Sequence, residues 1–335
     1  MRSKITLLLG LGLMLLAACA PQAGPPVDTP IPSPERGRPE GPLALEDTIA
    51  FVSDAPGNFE VFVLGAGSDP VRLTESDEDE GFPVWSPDGT RIAFARHQED
   101  GTIDLWVMDA DGGSQRRVCD LGSVFLEGIA WHPDGRNIYL SRGYFDGPGN
   151  MGLKIVAVSL DGPESQSGVG VERLWDRHFS YSSPDLTEDG ERIAFSHYEG
   201  YAMPFRQDIY VGILSSDGMS VRRIEQLTEE DGGDESPSWS PDGSAIAWAH
   251  ETDSNSGNYD IWVMDSDGSE KMQKTSQPGQ EVDPVWSSDG QAIIYASDQN
   301  GSLQLYMRYA WADEDVLQLT DNEGNNRHPD RRPQP

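Results

Sequence analysis

The apolar residues of this chain fall into short runs of strand length, each bounded by Gly, Pro, Asp and Ser rather than by helix caps. Ile92-Ala93-Phe94, Leu105-Trp106-Val107-Met108, Ile246-Ala247-Trp248 and Ile261-Trp262-Val263-Met264 are typical. Runs this short, separated by turn residues, predict β-strands throughout. They also repeat in a fixed order: an apolar position, a Trp, Ser-Pro-Asp-Gly, then a strand. Trp85-Ser86-Pro87-Asp88-Gly89 and Trp239-Ser240-Pro241-Asp242-Gly243 are the cleanest copies. Trp131-His132-Pro133-Asp134-Gly135, Leu186-Thr187-Glu188-Asp189-Gly190 and Trp286-Ser287-Ser288-Asp289-Gly290 are weaker ones.

Each part of the unit has a mechanical role. The Trp ends a first strand and is large enough to fill the wedge between neighbouring sheets. In Pro-Asp-Gly the Pro presets φ, the Asp bonds its own backbone, and the Gly takes the left-handed position. A second strand follows, then a variable loop and a third strand such as Leu105–Asp109 or Ile261–Asp265. Asp-x-Asp-Gly, at Asp109 to Gly112 and Asp265 to Gly268, turns the chain into a fourth strand ending in Leu-Thr at Leu73-Thr74, Leu227-Thr228 and Leu319-Thr320. The Trp-equivalent positions are 46, 55, 53 and 47 residues apart, the period of propeller blades. Residues 47–74 supply three strands without the Trp strand, and five full units follow. Asn326-Arg327-His328-Pro329-Asp330 matches Val282-Asp283-Pro284-Val285 and supplies the missing innermost strand. The expected fold is therefore all-β: a six-bladed propeller of four-stranded antiparallel blades, the first closed by the C-terminal strand. Arg331 stands where the repeat has Trp, so the closing strand is an imperfect copy.

These linked motifs resemble the WD-like repeat of the TolB-type β-propellers over nearly all of residues 45–335. The resemblance implies a fold more sharply than a function. TolB itself has a separate α/β domain before its propeller. Only a Pro-rich tether is expected here, which implies a TolB-like protein other than TolB.

The N-terminal segment reads differently. Arg2 and Lys4 precede an apolar run from Ile5 to Ala18 that is short for a bilayer span. Leu16-Ala17-Ala18-Cys19 resembles the lipobox of bacterial lipoproteins, in which the Cys is lipidated and becomes the mature N-terminus. An ordinary secretory signal with an incidental Cys is the alternative. Residues 1–19 are thus read as a lipoprotein signal peptide, 20–44 as a disordered Pro-rich tether, and 45–335 as the propeller. At about 3.1 Å per residue the tether reaches on the order of 75 Å. The expected location is extracytoplasmic, anchored by lipid to the outer face of a cell membrane or the periplasmic side of an outer membrane. Cys119 is the other cysteine of the chain and reads as a small hydrophobe, leaving no intrachain disulfide.

The formal charge of −33 argues against nucleic acid and anionic lipid surfaces, and favours cationic partners or simple solubility. Acids concentrate in the connections between blades. Asp77, Glu78, Asp79, Glu80, Asp234, Glu235, Glu281 and Asp283 are expected on one rim of the channel, as a docking site for a protein with a basic patch or as solvated loop acids. Long loops of blades three and four add Tyr144, Phe145, Tyr198, Tyr201 and Phe205, as contact residues or as mutual bracing. Arg96, Arg142, His197 and His250 fall at equivalent ends of second strands and are expected to form a ring inside the same face, either for an anionic ligand or as a wet strand end.

No cofactor or metal is expected. The Asp-x-Asp turns lack the spacing and terminal Glu of calcium loops, and the histidines are scattered. No Gly-x-Ser-x-Gly elbow is present. The reading is a monomeric, non-enzymatic scaffold that binds a protein through its acidic channel mouth. The alternative is a carbohydrate-binding or lyase-like propeller using the Arg/His ring, as in the oligogalacturonate lyases that share this repeat.

Overall fold

The computed structural model describes residues 43–123, 125–145, 151–161, 169–170, 179–199, 206–216, 218, 220–252, 256–312 and 315–334. Twenty-four strands form six four-stranded antiparallel sheets. Blade 1 contains β1 (Ile49–Ser53), β2 (Glu60–Leu64) and β3 (Val71–Arg72). Blade 2 is β4 (Glu80–Trp85), β5 (Arg91–His97), β6 (Ile103–Asp109) and β7 (Arg116–Asp120). Blade 3 is β8 (Leu126–Trp131), β9 (Asn137–Phe145), β10 (Met151–Ser159) and β11 (Val169–Gly170). Blade 4 is β12 (Phe179–Leu186), β13 (Arg192–Glu199), β14 (Arg206–Leu214) and β15 (Val221–Gln226). Blade 5 is β16 (Asp234–Trp239), β17 (Ala245–Glu251), β18 (Tyr259–Asp265) and β19 (Met272–Gln273). Blade 6 is β20 (Glu281–Trp286), β21 (Ala292–Ser297), β22 (Gln304–Tyr309) and β23 (Val316–Gln318). The last strand, β24 (Asn326–Arg331), pairs antiparallel with β1 and completes blade 1. Six blades closed in this way were expected, and that is the architecture found.

The turns behave as their sequences require. In Ser86–Thr90 the Asp88 carboxylate accepts the Thr90 N–H at 3.0 Å while Gly89 sits at φ +63°. Small and branched residues of second and third strands pack against the Trp of a neighbouring blade. Trp131 lies with Ala93, Ala95 and Val107, and Trp239 with Ala194, Ile209 and Val211. Three of these seams are also tethered by an arginine, through a cation–π contact and a hydrogen bond to a backbone carbonyl. Arg91 lies over the ring of Trp131 and donates to the Gly135 carbonyl; Arg192 does the same with Trp239 and Gly243. In blade 1 Arg332, just past β24, takes this part, over Trp85 and donating to the Gly89 carbonyl. The tail thus reinforces the imperfect closing strand.

The Leu-Thr motif proves to be a seam device. Each Thr hydroxyl accepts the N–H of a third-strand residue: Thr74 from Val61 at 2.8 Å, Thr228 from Ile209 at 2.9 Å and Thr320 from Leu305 at 2.8 Å, and Thr275, which follows Lys274 at the corresponding position of blade 5, from Ile261 at 2.7 Å. Beside three of these threonines a polar side chain of one blade meets one from the next. At blades 6 and 1 the pair is neutral, Asn326 Nδ2 donating to Gln304 Oε1 at 2.9 Å. At blades 1 and 2 it is Glu60 with Glu80, and at blades 5 and 6 Asp260 with Glu281. Asp260 Oδ1 and Glu281 Oε2 are buried and have no further hydrogen-bond partner among the described residues, an arrangement that favours the protonated form of Glu281. Burial raises Glu80 and Glu281 to about 7, and the facing carboxyl adds to the shift.

Candidate functional site: the channel and its upper mouth

The six innermost strands line a central channel, and every one of them carries a bulge. The register slips between Gly81 and Val84, Leu126 and Ile129, Ser182 and Asp185, Glu235 and Ser238, and Val282 and Val285, and the pairing of β1 with β24 is likewise irregular. One residue per bulge takes a positive φ: Phe82 (51°), Gly128 (123°), Ser183 (48°), Ser236 (53°), Asp283 (54°) and His328 (50°). Five are followed by Pro, tolerated at a bulge because it has no ladder N–H to leave unpaired. The bulge turns these six residues to the channel, where they bound one end of a cavity of about 390 Å³. Its other end is framed by the Pro-Asp-Gly turns and by Asp185, Asp330 and Arg331. Asp185 accepts the Trp239 N–H at 2.6 Å, and Asp330 accepts that of Trp85 at 2.7 Å. Burial lifts them to about 6 and about 7. Arg331 reaches 3.1 Å from Glu188, joining blade 1 to blade 4 on the opposite side of the ring.

The opposite, upper face carries the connections between blades and the loops between second and third strands. These cross-brace one another. Asn58 donates to the Glu78 carbonyl at 2.7 Å, Gly279 N–H to Asn258 at 2.8 Å, and Asn325 N–H to Asp54 at 2.6 Å. One residue before each bulge stands Gly81, Glu127, Ser182, Glu235, Val282 and Arg327. Glu235 is pushed up to about 7 by burial and then by the charges of Asp283 and Glu127, with Arg327 opposing. Burial also raises Glu127. Tyr198 Oη lies 3.5 Å from Glu127 Oε2, and Tyr198 and Tyr259 are raised by burial and by these acids. Glu127, Glu235 and Asp283 therefore act on one another's charge at the channel mouth, beside Tyr198 and Tyr259.

Several expectations need correction. Glu80, Asp234 and Glu281 are buried and are no part of an exposed rim. Glu80 is paired with Arg96 at 2.8 Å, Asp234 takes hydrogen bonds from Trp248 and contacts His250, and Glu281 contacts Ser297 and Asp260. Asp77 and Asp79 are exposed, with Glu78, Glu235 and Asp283 half-buried. The Arg/His ring does not converge on the channel, because its members are committed within their own blades or, for Arg142, to the connection from the preceding blade. Arg96 stacks on Trp106 at 4.3 Å, Arg142 donates to the Leu121 carbonyl, His197 packs between Tyr181 and Tyr210, and His250 lies edge-on to Trp262. Tyr144 and Tyr198 lie in strands β9 and β13 rather than in loops, Tyr144 under the Lys154 ammonium at 4.2 Å. Phe145 ends β9, its side chain outside the described residues, as are Tyr201, Phe205 and Cys19. Glu127, Tyr259 and Arg327 were not anticipated. Aligning the innermost strands on Glu235 finds Glu127 and Arg327 at once. Among the described residues no cluster of three His, Cys, Asp or Glu is arranged to hold a metal, and no helix is long and apolar enough to cross a membrane.

Comparison with known proteins agrees with this architecture. The family described as TolB beta propeller domain matches residues 164–334. An uncharacterized protein of Agrobacterium fabrum, Atu1656, is 28% identical over 63% of this chain and 67% of its own length. The Tol-Pal system protein TolB of Anaeromyxobacter sp. strain K is 33% identical over 59% of this chain and 42% of its own. The matched segment thus spans roughly two-fifths to two-thirds of these relatives. TolB from Acinetobacter baumannii superposes with a TM-score of 0.69 at 18% identity, covering 88% of this chain and 68% of that one. An oligogalacturonate lyase in complex with manganese shares the fold at a TM-score of 0.55 and 16% identity, over 83% and 75% of the two chains. The chain belongs to the TolB β-propeller domain family.

Proposed function

We propose that this protein is a non-catalytic scaffold that binds a protein partner through the upper face of its propeller. The observation that carries the reading is the channel mouth, where Glu127, Glu235 and Asp283 meet Tyr198 and Tyr259 on a cross-braced ring. Exposed acids surround it: Glu75, Asp77 and Asp79 on one connection, Glu229, Glu230 and Asp231 on another. A rigid, negatively charged concavity with aromatic walls suits a basic polypeptide surface, steering its approach and anchoring it on contact. That the matched relative from Anaeromyxobacter is a protein of the Tol-Pal system is consistent with a partner in the cell envelope. The lipobox-like Leu16–Cys19 supports tethering of the head to a membrane through lipid on Cys19. The packing of His197 and His250 among aromatic rings of their own blades favours this reading over a lyase-like one.

The test is reversal of charge at the exposed positions. Lys at Asp77, Asp79, Glu229 and Asp231 should lower the partner's association rate at least tenfold at low salt while leaving the melting temperature of the head unchanged. An association rate equal to that of the native protein at low salt contradicts the proposal.

A further inference from the structure

Arg91, Arg142, Arg192 and Arg332 of this acidic chain are satisfied by backbone carbonyls, so an arginine with a shielded Nε and neither a carboxylate nor a carbonyl partner stands apart from them. Arg327 is one. It is half-buried on the closing strand, its Nε is shielded from solvent without a hydrogen-bond partner, and among the described residues no carboxylate forms an ion pair with it. Its neighbour His328 repeats the pattern. The ring is stacked on Phe82 with centroids 4.0 Å apart, Nε2 is only loosely placed at 3.9 Å from Asp283, and Nδ1 is buried with no partner. Both residues line a cavity of about 250 Å³ in the seam between blades 1 and 2, walled by Val52, Phe59 and Phe82.

The acids of this cavity are already engaged. Asp79 accepts the Phe59 N–H at 2.9 Å, and Glu80 is held by Arg96 and Ser76 at 2.8 Å each. His97 also lines the cavity, close to Asp79, and burial keeps it toward the neutral form. Across the channel, Glu235 exerts a charge on Arg327 without reaching it, and burial raises that carboxyl to about 7. Buried donors are rarely left unsatisfied in a native protein, and a guanidinium selects a planar anion. A cavity below the usual size of a small-molecule site holds one side chain's worth of ligand.

We infer that this seam is a binding pocket for a carboxylate carried on an aromatic or branched apolar group, with Arg327 as anchor and Phe59 and Phe82 as the apolar walls. It adjoins the acidic mouth, sharing Phe82 and His328 with the channel cavity, but its test reads small-acid binding rather than the partner's association rate, so either can fail without the other. A free small acid and the C-terminal residue of a polypeptide share this chemistry. The experiment titrates phenylacetate, phenylacetamide and N-acetyl-Gly-Gly-Phe, with its free carboxylate, into the propeller at pH 7.5, read by ligand-observed NMR. Phenylacetate should bind at least tenfold more tightly than the neutral amide, and Arg327→Met should abolish that preference. Phe82→Ala should weaken acid and amide alike. Tighter binding of the peptide than of phenylacetate assigns the pocket to a chain terminus, and the reverse order assigns it to a free acid. Equal affinity of native protein for phenylacetate and phenylacetamide, or no binding of either at 20 mM, overturns the inference whether or not the variants fold. An unchanged acid preference in a folded Arg327→Met variant does so as well.

Discussion

Replacing Glu281 by Gln should stabilise this protein in a pH-dependent way. In the native seam Glu281 and Asp260 lie carboxyl to carboxyl, which favours the protonated form of Glu281, and burial raises Glu281 from 4.5 to about 7. A carboxyl raised on folding contributes its stability while protonated. That contribution is complete below about pH 4.5 and declines as the pH climbs to 7, because the unfolded chain ionises first. At about 1.4 kcal/mol per unit, the loss by pH 8 is about 3 kcal/mol. The amide of Gln donates permanently to Asp260 and has no proton to lose, as the Gln304–Asn326 pair already illustrates one seam further on. Glu281→Gln should therefore match the native protein at pH 4.5 and melt about 6 °C higher at pH 8, from the lower end of about 2–4 °C per kcal/mol for a domain near this size. Thermal melts of both proteins followed by circular dichroism from pH 4.5 to 8.5 give the comparison. A melting difference that stays constant across that range, or a Gln variant less stable at pH 8, refutes the proton-sharing account of the seam.

Other outcomes follow from the same geometry. Deleting residues 324–335 removes the ladder between β24 and β1, the Asp330 acceptor of Trp85 and the Arg332 clamp, and should cost about 5 kcal/mol at about 1 kcal/mol per lost bond; melting unchanged by this truncation argues against closure by β24. Substituting Met for Arg91, Arg192 and Arg332 together should cost about 3 kcal/mol in denaturant unfolding, nearly the sum of the single losses, since the three seams share no partners. Cys19→Ser in the full chain should shift the protein from the membrane to the soluble fraction and abolish incorporation of labelled fatty acid; continued membrane association without label points to a different anchor.

Much of the architecture was legible because each blade needs the same parts. The Trp fills a wedge, Pro-Asp-Gly forces a turn, and both therefore reappear at blade spacing. The match of Asn326–Asp330 to Val282–Val285 disclosed the closing strand even with Arg331 in place of Trp. The site was less legible, and for definite reasons. Charge along the sequence does not say which way an inner strand presents it, so Glu80, Asp234 and Glu281 looked like rim acids although each begins an innermost strand and is buried, Glu80 and Glu281 against the preceding blade and Asp234 against Trp248 and His250 of its own. Glu127 and Arg327 stood isolated in sequence, and only the ring brings them near Glu235. Arg96, Arg142, His197 and His250 were correctly equivalent, but equivalence in a propeller places residues on corresponding blade faces as readily as around the channel. The positive-φ bulges left no residue signature beyond the following Pro, since Phe, Ser, Asp and His all occupy the strained position.

Site-specific photocrosslinking in the native envelope tests the central claim most directly. A benzophenone side chain at Asp77, Asp231 or Tyr259 reports the upper face, and one at Asp88, Asp134 or Asp242 reports the opposite face. The account predicts a discrete protein adduct from the upper positions that is missing from the lower ones and competed away by purified propeller. Adducts from the lower face alone, or equally from both, contradict it.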